Sequence, residues 1–230
     1  MTGLPYYQQL KAFFDFKLEN ETNTQLISTD AQRFHEATQK YIIELTSIPL
    51  SAFVEYIIQR CKRLPIEAPD VFQFSNLDDA TLNVCKAIHS TGNTGLTVQQ
   101  IGRLLLHDGK TRSETAFNKY GENHIKTAEA FGLAFRANRR EHYLSAVGMA
   151  YANLSDETRD KLLTRLVLRN KLMSQLILAS YANVIELDAF LYDLSHSTYL
   201  RRRTNIKCMI GMLNETTEFD FSFLEKNIIL

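Results

Sequence analysis

Between residues 97 and 145 the spacing of apolar positions changes twice. Val98, Ile101, Leu104 and Leu105 fall on one helical face, and Thr97 with Gln100 forms a capping-box pattern at its start. Ile125, Ala128 and Phe131 recur at helical spacing on a second helix, which Gly132 ends. From Leu133 the pattern alternates. Leu133, Phe135 and Ala137 face one side, a charged turn runs from Asn138 to Glu141, and Tyr143 and Ser145 follow. That pattern predicts a β-hairpin with an Arg-bearing tip.

Upstream, Asn76 or Asp78 starts a helix through Leu82, Val84, Cys85 and Ile88, and a loop covers Thr91 to Gly95. Helix, turn, helix and hairpin together make the winged helix-turn-helix arrangement. Its physical use is to set one helix into a DNA major groove and lay the hairpin against neighbouring phosphates.

A second round of the same order is expected downstream. Gly148 to Leu154 reads as a turn, and Ser155 caps a helix with acids in its first turn. That helix buries Leu162, Leu163, Leu166 and Val167 and exposes Arg159, Lys161, Arg165 and Arg169. An apolar helix runs from Leu172 to Tyr181, a short one from Leu187 to Leu194, and a polar turn from Ser195 to Thr198. A longer helix from Tyr199 to about Leu213 carries Tyr199, Arg203, Ile206, Ile210 and Leu213 on one stripe. Phe219, Phe221 and Phe223 alternate, and Ile228 to Leu230 is apolar, so strands are expected there.

Residues 1–70 read as an accessory helical module. Tyr6, Leu10, Phe13 and Phe14 begin a helix, and Asn20 to Asn23 break it. Thr29 or Asp30 caps a helix to about Leu45 with Phe34, Thr38, Tyr41 and Ile42 inward. Pro49 interrupts, Ser51 opens another helix with Phe53, Val54, Ile57, Ile58 and Cys61 inward, and Pro65 to Asp70 reads as a linker. The fold class is therefore mainly α with small β-hairpin wings. It comprises an N-terminal helical module (1–70) and two tandem winged helix-turn-helix units (71–154 and 155–230).

The 230 residues are 45% hydrophobic and 23% charged, values of an ordinary globular protein. No apolar run approaches the ~18 residues needed to span a bilayer, and the N-terminus lacks the basic-then-apolar order of a signal peptide. Cys61, Cys85 and Cys208 are scattered without CxxC spacing, so a reducing cytoplasm is expected. The net charge of zero conceals an asymmetry. Residues 1–96 hold 8 Lys+Arg against 11 Asp+Glu (−3), residues 97–171 hold 13 against 8 (+5), and residues 172–230 hold 5 against 7 (−2). A phosphate responds to the local field, which is basic in the middle of the chain.

Candidate DNA-binding residues follow from this placement. Arg201 and Arg202, with Asn205, sit near the start of the second long helix; Arg grips guanine bidentately and Asn does the same for adenine. Ser197 or Thr198 would leave backbone N–H groups free for a phosphate. Arg203, on the apolar stripe, is expected to pair with Asp188 or Asp193. In the first unit Lys119, Asn123, Lys126 and Thr127 lie off the apolar face, and Arg112, Arg139 and Arg140 reach from the connection and the wing. Glu122 and Glu129 on the same helix weigh against DNA. A DNA reader should gather Arg112, Lys126, Arg139, Arg140 and Arg201 to Arg203 on one surface, whereas a protein-interaction adaptor should scatter them.

No catalytic pattern is visible. The six histidines lack ligand spacing, Asp108-Gly109-Lys110 lacks the glycines and preceding strand of a phosphate loop, and there is no GxSxG. No strand-borne restriction-nuclease core is found, and no cofactor or metal is implied. A nuclease using Asp15 and Glu19 near Lys17 ranks last.

Two stretches resemble winged-helix modules of bacterial restriction–modification and related defence proteins. One runs from Lys119 through Thr127 and Phe131-Gly132-Leu133 to the Leu144-Ser145…Gly148 close; the other is Ser197 to Ile206 with its Arg pair. The resemblance covers about 75–212. It implies a non-catalytic protein that binds double-stranded DNA and supplies target recognition or transcriptional control to a nuclease or other effector. A homodimer reading two half-sites is compatible with it.

Overall fold

The computed structural model describes residues 4–15, 31–106, 109–137, 139–192 and 194–229, with side chains from residue 36 in the helix that begins at Ala31. The expected break at Asn20 to Asn23, the cap at Thr29 or Asp30, the Phe34 side chain, and Lys17, Glu19, Asp108, Asn138 and Asp193 lie outside the described residues. Helix accounts for 66% of the chain and strand for 5%, so the fold is mainly α. Among the described residues no single helix is long and apolar enough to cross a membrane.

The chain forms two compact units that do not follow the three consecutive modules of the sequence pattern. A helical unit takes residues 1–16, 45–72 and 160–230; a hairpin unit takes 17–44 and 73–159. The N-terminal stretch is therefore divided between the two.

In the helical unit α1 (Tyr7–Asp15) buries Leu10 and Phe13. Phe13 meets Phe53 of α3 (Leu50–Arg60) edge-on at 5.7 Å. The helix α2 (Ala31–Ser47) enters this unit with its last residues. The expected linker contains a 3-10 turn, Ala68–Asp70, and buries Ile66. Helix α8 (Asp156–Arg169) gives this unit its residues from 160, and α9 (Lys171–Ser180) follows after the Asn170 cap. The Gln175 side chain of α9 takes the Leu64 N–H on Oε1 and gives Nε2–H to the Lys62 carbonyl, both at 2.9 Å. An amide thus pairs with this extended segment as a neighbouring strand would.

Arg165, expected on the exposed face of α8, is fully buried. Its guanidinium donates to the carbonyls of Leu45 (3.0 Å), Thr46 (2.9 Å) and Ile48 (2.7 Å), and to the Glu218 carboxylate at 2.9 Å. Leu45 and Thr46 lie in the last turn of α2 and Ile48 just after it, so the cation caps the C-terminal end of that helix. A helical wheel assigns Arg to solvent; five donors matched to a cluster of backbone carbonyls override it.

The rest of this unit departs from the second hairpin expected of it. Strand β3 (Ile185–Glu186), α10 (Leu187–Phe190), α11 (His196–Glu215), α12 (Ser222–Asn227) and β4 (Ile228–Ile229) follow in order. β3 and β4 pair in parallel, Ile185 with Ile228 and Glu186 with Ile229, so they form no wing. The Phe219/Phe221/Phe223 alternation is not a strand. Asp220 accepts the Ser222 N–H at 2.9 Å, the chain turns into α12, and Phe219 packs edge-on to Phe221 at 4.8 Å.

The hairpin unit holds a π-helical turn (Asp79–Asn83), α4 (Val84–Ser90), α5 (Val98–Leu105) and α6 (Glu114–Ala130). Strands β1 (Ala134–Arg136) and β2 (His142–Leu144) and helix α7 (Ala146–Tyr151) complete it. Helix α7 occupies part of the expected turn after Gly148, because Ser145 caps it at the Gly148 N–H. The Thr97–Gln100 capping box forms as the sequence predicts. Helix α6 starts earlier than its apolar stripe implies, at the Ser113 cap, whose hydroxyl takes the Ala116 N–H.

Helices α5 and α6 cross through glycines. A Cβ on Gly102 would sit 1.9 Å from the Phe117 carbonyl oxygen, and one on Gly121 would sit 1.8 Å from that of Val98. The backbones touch because neither residue has a side chain. Below them Ile88, Ile101, Ile125, Ala128, Phe131, Leu133 and Leu144 are all fully buried.

Candidate nucleic-acid interface

The hairpin is fixed to the helices at one residue. β1 and β2 pair antiparallel in the register Ala134 to Leu144, Phe135 to Tyr143 and Arg136 to His142. The backbone of His142 also exchanges both hydrogen bonds with Leu96, just before α5, at 2.9 and 3.0 Å. The His142 ring meets Glu129 of α6 at 2.7 Å. The strand thereby joins both the start of α5 and the side of α6, and a groove is left beside it.

β1 buries Ala134 and Phe135 and leaves Arg136 exposed. Arg136, Arg139 and Arg140 line the hairpin wall of the groove, and Asn118, Glu122, Lys126 and Glu129 line the α6 wall. Thr97 to Gln99 close its end. Three residues expected from the sequence, Lys126, Arg139 and Arg140, are thus brought together. The groove also holds two carboxylates. Glu122 accepts Lys126 at 2.5 Å and lies 3.5 Å from the Lys119 ammonium. The Lys126 hydrogen bond, with both lysine charges, holds the Glu122 carboxyl below its ordinary range.

Other expected site residues are placed elsewhere. Thr127 is fully buried and gives its hydroxyl to the Asn123 carbonyl, so it faces the core. Arg112 acts on Tyr120, on the other side of α6 from the groove. Asn123 is half-buried.

In the helical unit Asn205 is buried at 5% exposure. Arg202 gives its guanidinium to the carbonyls of Ala68 and Val71, a structural clamp on the 3-10 turn. Arg203 lies 5.9 Å over the Tyr199 ring, and of its two expected acids Asp193 lies outside the described residues. Ser195, not Ser197 or Thr198, is the cap of α11, and the Thr198 N–H is already taken by the Ser195 carbonyl at 2.9 Å. Arg201 is exposed and bonds back to the Ser197 carbonyl at 3.1 Å. Asp15, of the nuclease alternative, is exposed and pairs with Lys11.

Sequence reasoning missed Arg136, although strand alternation alone could have found it. It also missed a polar cluster on the far side of α6. His124 is buried with Nδ1 2.6 Å from the Tyr120 carbonyl, which makes Nδ1 the protonated nitrogen. Nε2 then accepts the Ser75 N–H at 3.1 Å and lies 2.7 Å from Ser75 Oγ. The Tyr120 hydroxyl donates to Asp79 at 2.5 Å. Burial keeps His124 neutral by lowering its pKa, against the Tyr120 carbonyl and the Asp79 charge. This cluster fastens the segment before α4 onto α6.

Among the described residues no group of three or more His, Cys, Asp or Glu side chains could hold a metal ion. No family model matches the chain, and neither a curated protein nor a solved structure matches it.

Proposed function

We propose that the hairpin unit is a winged helix-turn-helix module that binds double-stranded DNA through the groove between α6 and the hairpin. The observation that carries this is the convergence of Lys126, Arg136, Arg139 and Arg140 on one concave surface. The element order supports it: α4, a bridging residue at Leu96, α5, α6 and then β1–β2, with Leu96 paired to β2. Cations on a concave surface raise the local concentration of phosphate and release counterions when a duplex docks. In the defence setting that the sequence resembles, the chain would deliver an effector to its target site without catalysis of its own.

A protein-interaction adaptor is the second reading. It is favoured by Glu122 and Glu129, which offset part of the groove's charge, and by Arg112 and Arg202, of which the first lies across α6 from the groove and the second is held by backbone carbonyls.

Fluorescence anisotropy with a random-sequence duplex, titrated with salt, separates the two. Duplex binding should weaken steeply with salt, and Lys126→Ala/Arg136→Ala should make the slope shallower by about 1 for each phosphate no longer neutralised. Absence of binding at low salt would favour the adaptor.

A further inference from the structure

The helical unit contains a cavity of about 370 Å³. The extended segment before the 3-10 turn contributes Arg63 and Leu64 to its lining, and α9 contributes Gln175 and Ala179, one helical turn apart. Asn183, Ile185 of β3 and Phe190 of α10 complete it. Its volume lies in the range of small-molecule sites, roughly 300–1,000 Å³, which combine an apolar lining with a few polar groups.

Leu64, Ala179, Ile185 and Phe190 supply the apolar part, and among the described residues that line the cavity Arg63 alone is charged. The Arg63 guanidinium is exposed and has no ion pair or hydrogen bond among the described residues. Gln175 is buried, and its Nε2 gives one hydrogen to the Lys62 carbonyl. The second Nε2 hydrogen has no acceptor among the described residues. Buried donors are satisfied as a rule, so this one calls for an acceptor from outside the chain. A carboxylate suits both groups, because its two oxygens match the planar guanidinium fork and accept from an amide as well.

We propose that this cavity binds a small monocarboxylic acid. Its carboxylate takes the Arg63 guanidinium and the remaining Nε2 hydrogen of Gln175, and its short aliphatic or aromatic body lies among Leu64, Ala179, Ile185 and Phe190. An inorganic anion would leave that apolar lining unused. The site lies in the helical unit, so the inference stands apart from the duplex-binding reading.

The test follows amide chemical shifts of the full chain during titration with hexanoate or phenylacetate. Hexanol and phenylethanol serve as the uncharged counterparts. Each acid should bind with a Kd on the order of 1 mM, with saturable shifts clustered at 62–64 and 175–190. It should bind about tenfold more tightly than its alcohol. Arg63→Gln should abolish that preference, whereas Lys62→Gln, which removes a cation outside the lining, should keep it. Ala179→Leu, which fills the cavity, should bind neither acid nor alcohol, with thermal unfolding used to check the fold. Arg63 and Lys62 are both exposed, so their variants decide the matter even where Ala179→Leu does not fold. Equal affinity for acid and alcohol, a preference that survives Arg63→Gln, or no saturable shift around the cavity would overturn the inference.

Discussion

Arg165 Nη2 lies 2.9 Å from the carboxylate of Glu218, and the arginine is fully buried while the glutamate side chain keeps 29% of its surface exposed. The pair is unequal. Arg165 also holds three carbonyls between Leu45 and Ile48, so its loss strands acceptors as well as the carboxylate. Arg165→Met is expected to cost about 3–5 kcal/mol, and Glu218→Gln about 1 kcal/mol because the amide oxygen still accepts. Urea unfolding of both variants checks the order; equal losses would show that the carbonyls do not matter.

Gly121 and Gly211 are expected to respond in opposite ways to the same added methyl group. Gly121→Ala forces α5 and α6 apart at the Val98 carbonyl, and a loss of several kcal/mol or failure to fold is expected. Gly211, inside α11, has open space for at least 4 Å around the place a Cβ would take, so Gly211→Ala should stabilise by about 0.5–1 kcal/mol. Thermal melts of the two variants should move in opposite directions.

Stability should fall below neutral pH, in part through His124. Burial, the leading cause, lowers its pKa in the folded chain, so the unfolded chain takes up the proton first, near pH 6.5. The stability of the neutral-His124 fold is fully present above that pH and is lost as pH falls through the lower folded value. His124→Gln, whose amide oxygen can still accept the Ser75 N–H, should flatten the decline between pH 7 and 5. An unchanged slope would assign the decline to other groups.

The amide of Asn214 has both Nδ2 and Oδ1 buried with no hydrogen-bond partner among the described residues. An unpaired buried polar group costs about 1–3 kcal/mol, so Asn214→Leu should raise the midpoint of unfolding. A lowered midpoint would mean that the amide is satisfied in solution.

What the sequence made legible was local. The Thr97 capping box, the Gly132 stop and the hairpin around Asn138 to Glu141 are each written within a few residues, and β1, β2, α5 and α6 follow from them. Lys126, Arg139 and Arg140 are legible because the hairpin returns to the helix just before it. The misreadings are long-range. Arg165 finds its carbonyls 117–120 positions earlier, and Arg202 finds the turn at Ala68 to Val71 more than 130 positions away. Neither partner leaves a mark near the arginine. The phenylalanine alternation at 219–223 misleads for another reason: an aromatic cluster around a turn has the same period as a strand.

The claim that duplex DNA docks at the hairpin unit is tested most directly by amide chemical shifts during titration with a random-sequence duplex at low salt. The shifts expected to move cluster at 96–99, 118–129 and 134–142, with residues 196–207 of α11 unmoved. Perturbation centred on 196–207, or none anywhere, would contradict it.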